Sequence, residues 1–177
     1  MTLPDADASC VWYFGYGSNV DRGTFLGRRR MRPLAARVAV LDDWALRFDL
    51  PVGSGERGVA NLRSEPGART WGVCWQIPRA QAEHLDRTEG VPRGAYRRQA
   101  VEVETREGVR LAAFTYCSER GVAGRKPSRR YLGLLLAGAR EHGLPDEWVA
   151  FLRGLELAVD ERNSQAELFG PAHKPGR

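Results

Sequence analysis

Two short segments hold residue types suited to chemistry. The first is "LDRTEGVPRGAY", residues 85–96. It places Glu89 between Thr88 and Gly90, where a helix should give way to a loop shaped by two glycines, a proline and a terminal tyrosine. A carboxylate that moves protons needs fixed placement. It also works best in a partly apolar setting that lifts its pKa toward neutrality. The second is "YFGYGSNV", residues 13–20, in which aromatic residues run into Gly-Tyr-Gly-Ser-Asn. Glycines let a backbone approach a ligand closely. Successive turn N–H groups form a concavity that favours carboxylate or oxyanion oxygens, and Ser18 and Asn19 add polar side chains.

Other readings of the glycine-rich turn fail on spacing. A dinucleotide fingerprint needs a third glycine where Val20 stands, and that glycine permits the close helix–strand contact. A phosphate-binding P-loop would end in Gly-Lys-Ser/Thr, which is absent. A hydrolase elbow would read Gly-x-Ser-x-Gly, whereas Ser18 is followed by Asn19 and Val20. A tight structural turn without ligand stays open at this point, as does a solvated surface charge for Glu89.

The elements that must position these groups follow from patterning. Residues 11–17 read as a buried strand, and 34–50 as a long bent strand or strand pair rich in β-branched and aromatic residues. Residues 51–58 are a glycine loop. "VANL" and "TWGVCWQI" read as two short strands around the turn 63–69. Residues 78–87 form a helix with Pro78 at its start. The segments 96–105 and 109–117 alternate and pair as a hairpin. Ser128 caps a helix over 129–142 that Gly143 closes, and Pro145 opens another over 146–158. The polar, Arg-rich segment 22–32 begins with a short helix. The sum is about six strands and three helices, with strands joined in runs. That pattern predicts an α+β fold built on a small mixed β-barrel with flanking helices, against a doubly wound sheet. Residues 1–10 read as a flexible leader, 11–160 as a single domain and 161–177 as a flexible tail.

Composition narrows the function classes. The chain has 177 residues, 42% apolar and 28% charged, as expected for a globular domain. No stretch approaches a membrane span, and the acidic, polar start is no signal peptide, so the expected location is cytoplasmic. The three cysteines, Cys10, Cys74 and Cys117, and the three histidines, His84, His142 and His173, lack metal-ligand spacing. Cys74 and Cys117 read as packing residues. The net charge is +5, and of the 27 basic residues only Lys126 and Lys174 are lysine. Arginines cluster at 27–32, 96–99 and 124–130, but no nucleic-acid-binding motif surrounds them, so they read as solvated surface and a nucleic-acid partner is disfavoured.

Together the turn and the Glu89 loop resemble the two signature regions of the gamma-glutamylcyclotransferase family. The resemblance extends to "WGVCWQI" (71–77), "FTYC" (114–117) and "PSRRYLGLLLAGAREHGLP" (127–145), and covers roughly residues 11–155. It implies a cofactor-independent reaction on a small-molecule γ-glutamyl substrate. The α-amine attacks the side-chain amide carbonyl, 5-oxoproline forms, and an amine or amino acid leaves. By the same resemblance Glu89 is the general acid/base, and Tyr16, Gly17, Ser18 and Asn19 bind the γ-glutamyl unit. Tyr96, Tyr116 and Tyr131 carry over by position as further substrate-binding residues, each with a core aromatic as its plain alternative. No metal is implied, and a homodimer is allowed but not required.

Two departures bear on the substrate. Val20 stands where the family usually has leucine. The Arg-rich segment 22–32 matches no family motif and would favour a substrate with a second acidic group. The leaving group stays open between an amino acid and a γ-glutamyl-protected biosynthetic amine. Glutathione is disfavoured, because the branch specific to it has a different aromatic signature after the serine. A non-catalytic basic binding module is the alternative from another class.

Overall fold

The computed structural model describes residues 9–159. The expected leader, up to residue 8, and the expected tail lie outside the described residues. Five strands close into a barrel: β1 (Cys10–Gly15), β2 (Ala35–Pro51), β3 (Gly58–Pro78), β4 (Arg97–Thr105) and β5 (Arg110–Cys117). Their order around the barrel is β1-β3-β2-β4-β5. All pairings are antiparallel except β1 with β5, which meet in parallel at Tyr13 and Phe114. Closure removes the open edges that would otherwise invite pairing with other chains. Helices α1 (Arg79–Glu89), α2 (Arg129–Glu141) and α3 (Asp146–Arg153) flank it.

The expected α+β barrel with flanking helices is the observed architecture. The strand count is five because "VANL" and "TWGVCWQI" belong to one 21-residue strand, β3, that runs straight through 63–69. Pairing along β2 overrides the turn signals of Pro66 and Gly67. A register shift between Asp42 and Trp44 absorbs the irregularity, with Asp43 at φ 62°. There Gly67 N donates to Asp43 Oδ1 over 2.8 Å. The helix expected near residue 22 is a wide π-type turn over Gly23–Arg28. The last helix ends at Arg153, earlier than residue 158, because Gly154 caps it.

β1 is where the fold meets the site. Val11, Trp12, Tyr13 and Phe14 suit a strand held between two neighbours, and Phe14 is fully buried. Thr115 Oγ1 donates to Phe14 O over 2.8 Å, which ties the closing seam just before the strand ends. Beyond Gly15 the chain enters a single 3-10 turn, Ser18–Val20, with Val20 N donating to Gly17 O and Asp21 N to Ser18 O. Two close approaches fix this exit. A Cβ on Gly72 of β3 would lie 2.3 Å from Gly15 O, and one on Gly138 of α2 would lie 2.6 Å from the Val20 carbonyl. Only glycine admits either contact. Phe25 stacks between Tyr13 and Trp75 beneath the turn, so the floor of the site is packed aromatic core.

Candidate active site

Glu89 is the last residue of α1 rather than the first of a loop. Gly90 follows in the left-handed conformation at φ 72° and caps the helix. That φ is why a glycine stands there. The helix end delivers the Glu89 carboxylate to the 3-10 turn after β1, where its side chain keeps 9% exposure. Asn19 Nδ2 donates to Glu89 Oε1 over 2.7 Å, and the Arg29 guanidinium lies 3.1 Å from the same oxygen. Burial raises the Glu89 pKa above its ordinary 4.5. Arg29 and the Asn19 hydrogen bond hold back part of that rise. Both contacts fall on Oε1, so Oε2 is the oxygen left to exchange a proton with the cleft.

Asn19 is committed to the protein. Its Nδ2 also donates to the Tyr13 hydroxyl over 2.8 Å, its Oδ1 accepts from Arg29 Nε over 3.0 Å, and its carbonyl accepts from Trp75 Nε1 over 3.1 Å. Its side chain therefore positions Glu89. Arg29 closes the set by donating from Nη1 to Thr88 O over 2.6 Å. The segment 22–32 thus does not act as a block: Arg29 turns inward to the carboxylate while Arg28 and Arg30 stay exposed.

Around this cluster opens a cleft of about 1110 Å³ lined by Tyr16, Gly17, Ser18, Glu89, Tyr96 and Tyr131, among others. Ser18, through backbone and hydroxyl, bears on the Tyr131 oxygen, which also accepts from Ala60 N over 3.2 Å. The turn's own bonds start at Val20 N and Asp21 N, so it makes no use of the amides of Gly17, Ser18 and Asn19. The Tyr96 hydroxyl donates to Ala60 O over 2.7 Å, and that of Tyr16 donates to Tyr116 O over 2.5 Å. Burial pushes the phenols of Tyr13, Tyr16, Tyr96 and Tyr131 up, which keeps them neutral donors. Tyr116 also lines the cleft, and its hydroxyl donates to Asp86 Oδ1 over 2.7 Å, while Asp86 in turn pairs with Arg98 at 2.6 Å.

The structure therefore brings Glu89, the turn residues, Tyr96, Tyr116 and Tyr131 to one cleft and commits the Tyr116 hydroxyl to Asp86. The sequence reading missed Arg29, Tyr13 and Ala60. Arg29 was hidden among three consecutive arginines. Tyr13 alternates with Phe14 on a strand, and nothing local tells which side meets Asn19. Ala60 contributes only backbone. Cys10, Cys74 and Cys117 are buried free thiols; burial raises the thiols of Cys74 and Cys117, so neither of those two is a poised nucleophile. Among the described residues no helix is long and apolar enough to cross a membrane.

Comparison with known proteins adds to this geometry. Residues 69–152 match the AIG2-like family. A human gamma-glutamylcyclotransferase is 33% identical over 163 residues, covering 88% of this chain and 83% of the relative. A bovine gamma-glutamylcyclotransferase is 32% identical over 161 residues, covering 87% and 83%. A solved structure of a gamma-glutamyl cyclotransferase superposes with a TM-score of 0.74 at 29% identity, covering 91% of this chain and 99% of that one.

Proposed function

The chain belongs to the gamma-glutamylcyclotransferase family and is an enzyme of that type, and we propose that it cyclises γ-glutamyl amides to 5-oxoproline with Glu89 as general acid/base. The observation that carries the role of Glu89 is its placement: a nearly buried carboxylate with a raised pKa, held on one oxygen by Asn19 and Arg29, facing a cleft lined by neutral hydroxyls.

The α-ammonium first loses one proton to water, and the freed amine attacks the γ-carbonyl carbon of the same molecule, forming the ring C–N bond and an oxyanion. Glu89 Oε2 takes the second proton from the ring nitrogen and passes it to the amide nitrogen. The oxyanion then collapses to the lactam carbonyl as the original C–N bond breaks, and the amine departs. Ring closure is intramolecular, so the cleft mainly has to fold the substrate into an attacking shape. The amides of Gly17 and Asn19, with the Tyr131 hydroxyl that Ser18 holds in place, are suited to the substrate carboxylate or the developing oxyanion. Tyr16 and Tyr96 complete the wall around the γ-glutamyl unit. The reading invokes no cofactor and no second copy of the chain.

The test is product identity. Incubation with γ-glutamyl-alanine should release alanine and 5-oxoproline in equal amounts, with no free glutamate. The same substrate acetylated on its α-nitrogen should be inert, because its nitrogen cannot attack. Release of glutamate in place of 5-oxoproline would make the enzyme a hydrolase and contradict the reading.

A further inference from the structure

The charge lining the cleft is lopsided. Among the described residues Glu89 is its only acidic wall residue, and Arg29 already pairs with it. Arg28, Arg57, Arg129 and Arg130 also line the wall, and none of the four guanidiniums makes an ion pair or side-chain hydrogen bond among the described residues. The nearby acids are engaged elsewhere: Glu156 pairs with Lys126 at 2.6 Å, and Glu56 accepts from Val159 N at 3.3 Å. The four come from separate parts of the chain. Arg28 ends the π-type turn, Arg57 sits just before β3, and Arg129 and Arg130 open α2. The fold thus gathers two of the sequence's arginine clusters, and Arg57 from the glycine loop, onto one wall. Arg129 and Arg130 also stand at the positive end of a helix, where cations are ordinarily disfavoured, and the first turn of that helix holds no acidic residue. Val52, Leu134 and Leu157 add apolar surface to the same cleft.

Resting on the cyclotransferase reading, we propose that this wall is the leaving-group subsite and selects γ-glutamyl substrates whose departing amine carries at least two negative charges. The γ-glutamyl head is held at Glu89 and the 3-10 turn, so whatever is joined to its amide must extend along the remaining wall. A neutral amine would leave four gathered cations uncompensated. A simple amino acid supplies one carboxylate. A dicarboxylate or a phosphate-bearing amine supplies enough anionic oxygens for the forked arginine contacts to form. The alkyl spacer of such a group would lie on Val52, Leu134 and Leu157.

The experiment compares matched substrates that differ only in distal charge. γ-Glutamyl-glutamate and γ-glutamyl-glutamine are equal in length, and γ-glutamyl-phosphoserine against γ-glutamyl-serine separates phosphate from carboxylate as the preferred group. The proposal expects kcat/KM for an anionic member to exceed that of its neutral partner by on the order of tenfold or more. The ratio should fall toward one in Arg57→Gln and in Arg129→Gln/Arg130→Gln. Lysine replacements at the same positions should keep part of it, and added salt should erode it. A ratio near one in the wild type, or variants that lower both members equally, would overturn the subsite while leaving cyclisation intact. Absence of 5-oxoproline from every substrate would instead remove the cyclotransferase reading and the subsite with it.

Discussion

Glu89 illustrates how a residue suited to catalysis sits against stability. Its folded pKa is raised above 4.5 by burial. The folded protein therefore binds more protons than the unfolded chain once the pH passes the ordinary carboxylate value. Stability must fall as pH rises from there to the folded pKa. Glu89→Gln removes that titration, so its melting temperature relative to wild type should rise between pH 4 and pH 8, as read by paired thermal melts. Arg29 acts in the opposite direction, since it lowers the pKa that burial raises. Arg29→Ala should move the acid limb of the kcat/KM profile to higher pH, while Arg29→Lys should restore part of the shift. An unmoved acid limb would show that the ion pair does not tune the carboxylate. Asn19→Asp would set a second acid against Glu89 Oε1 and should cost about 100-fold or more in kcat. These roles differ in how openly the sequence displays them. Glu89 is marked by the glycines and proline around it, whereas Arg29 is one of three identical neighbours and only the wide turn over Gly23–Arg28 decides which points inward.

At the level of elements, the site depends on three chain ends meeting: the exit of β1, the C-terminus of α1 and the side of α2. Gly138 sets the last of these. A Cβ there would press within 2.6 Å of the Val20 carbonyl carbon and oxygen, which are backbone and cannot rotate aside. Gly138→Ala should push α2 off the turn, destabilise the fold by about 1–3 kcal/mol, and raise KM more than a surface helix substitution would. Denaturant melts with steady-state kinetics would read both effects. Helices and caps were open to sequence reasoning where their signals are local: Pro78, Ser128 and Gly143 each act within one turn, whereas the helix expected over 78–87 runs on to Glu89 before Gly90 stops it. The continuity of β3 was not. Ser64, Pro66 and Gly67 argue for a break, and the strand persists only because β2 lies alongside with Asp43 bulged to meet it. That is a nonlocal stabilisation that no short window contains. The Tyr116 hydroxyl is a similar case, since its direction depends on Asp86 in α1 and Arg98 in β4.

Across the whole molecule, the barrel supplies a rigid rim, and the excess of arginine is partly concentrated where the substrate must enter. Two of the three arginine clusters that read as solvated charge in the sequence, 27–32 and 124–130, meet Arg57 because the β2–β3 connection, the π-type turn and α2 surround one cleft, while Arg97 and Arg98 pair with Glu119 and Asp86. Screening should therefore reach the kinetics. Raising ionic strength from low salt to about 0.5 M should lower kcat/KM for anionic substrates and leave neutral γ-glutamyl amides little changed. The family resemblance carried by the turn and the Glu89 loop extended to the fold because the two motifs are remote in sequence, and only a closed arrangement such as this barrel brings Asn19 within 2.7 Å of Glu89.

The most direct measurement is 5-oxoproline formation by wild type and Glu89→Gln, each confirmed folded by its thermal transition, at saturating γ-glutamyl substrate. Loss of the acid/base group should reduce kcat by about 100-fold to 10,000-fold while substrate binding, read by calorimetry with the variant, persists. Turnover by Glu89→Gln within a fewfold of wild type would contradict the assignment of Glu89 as the proton carrier.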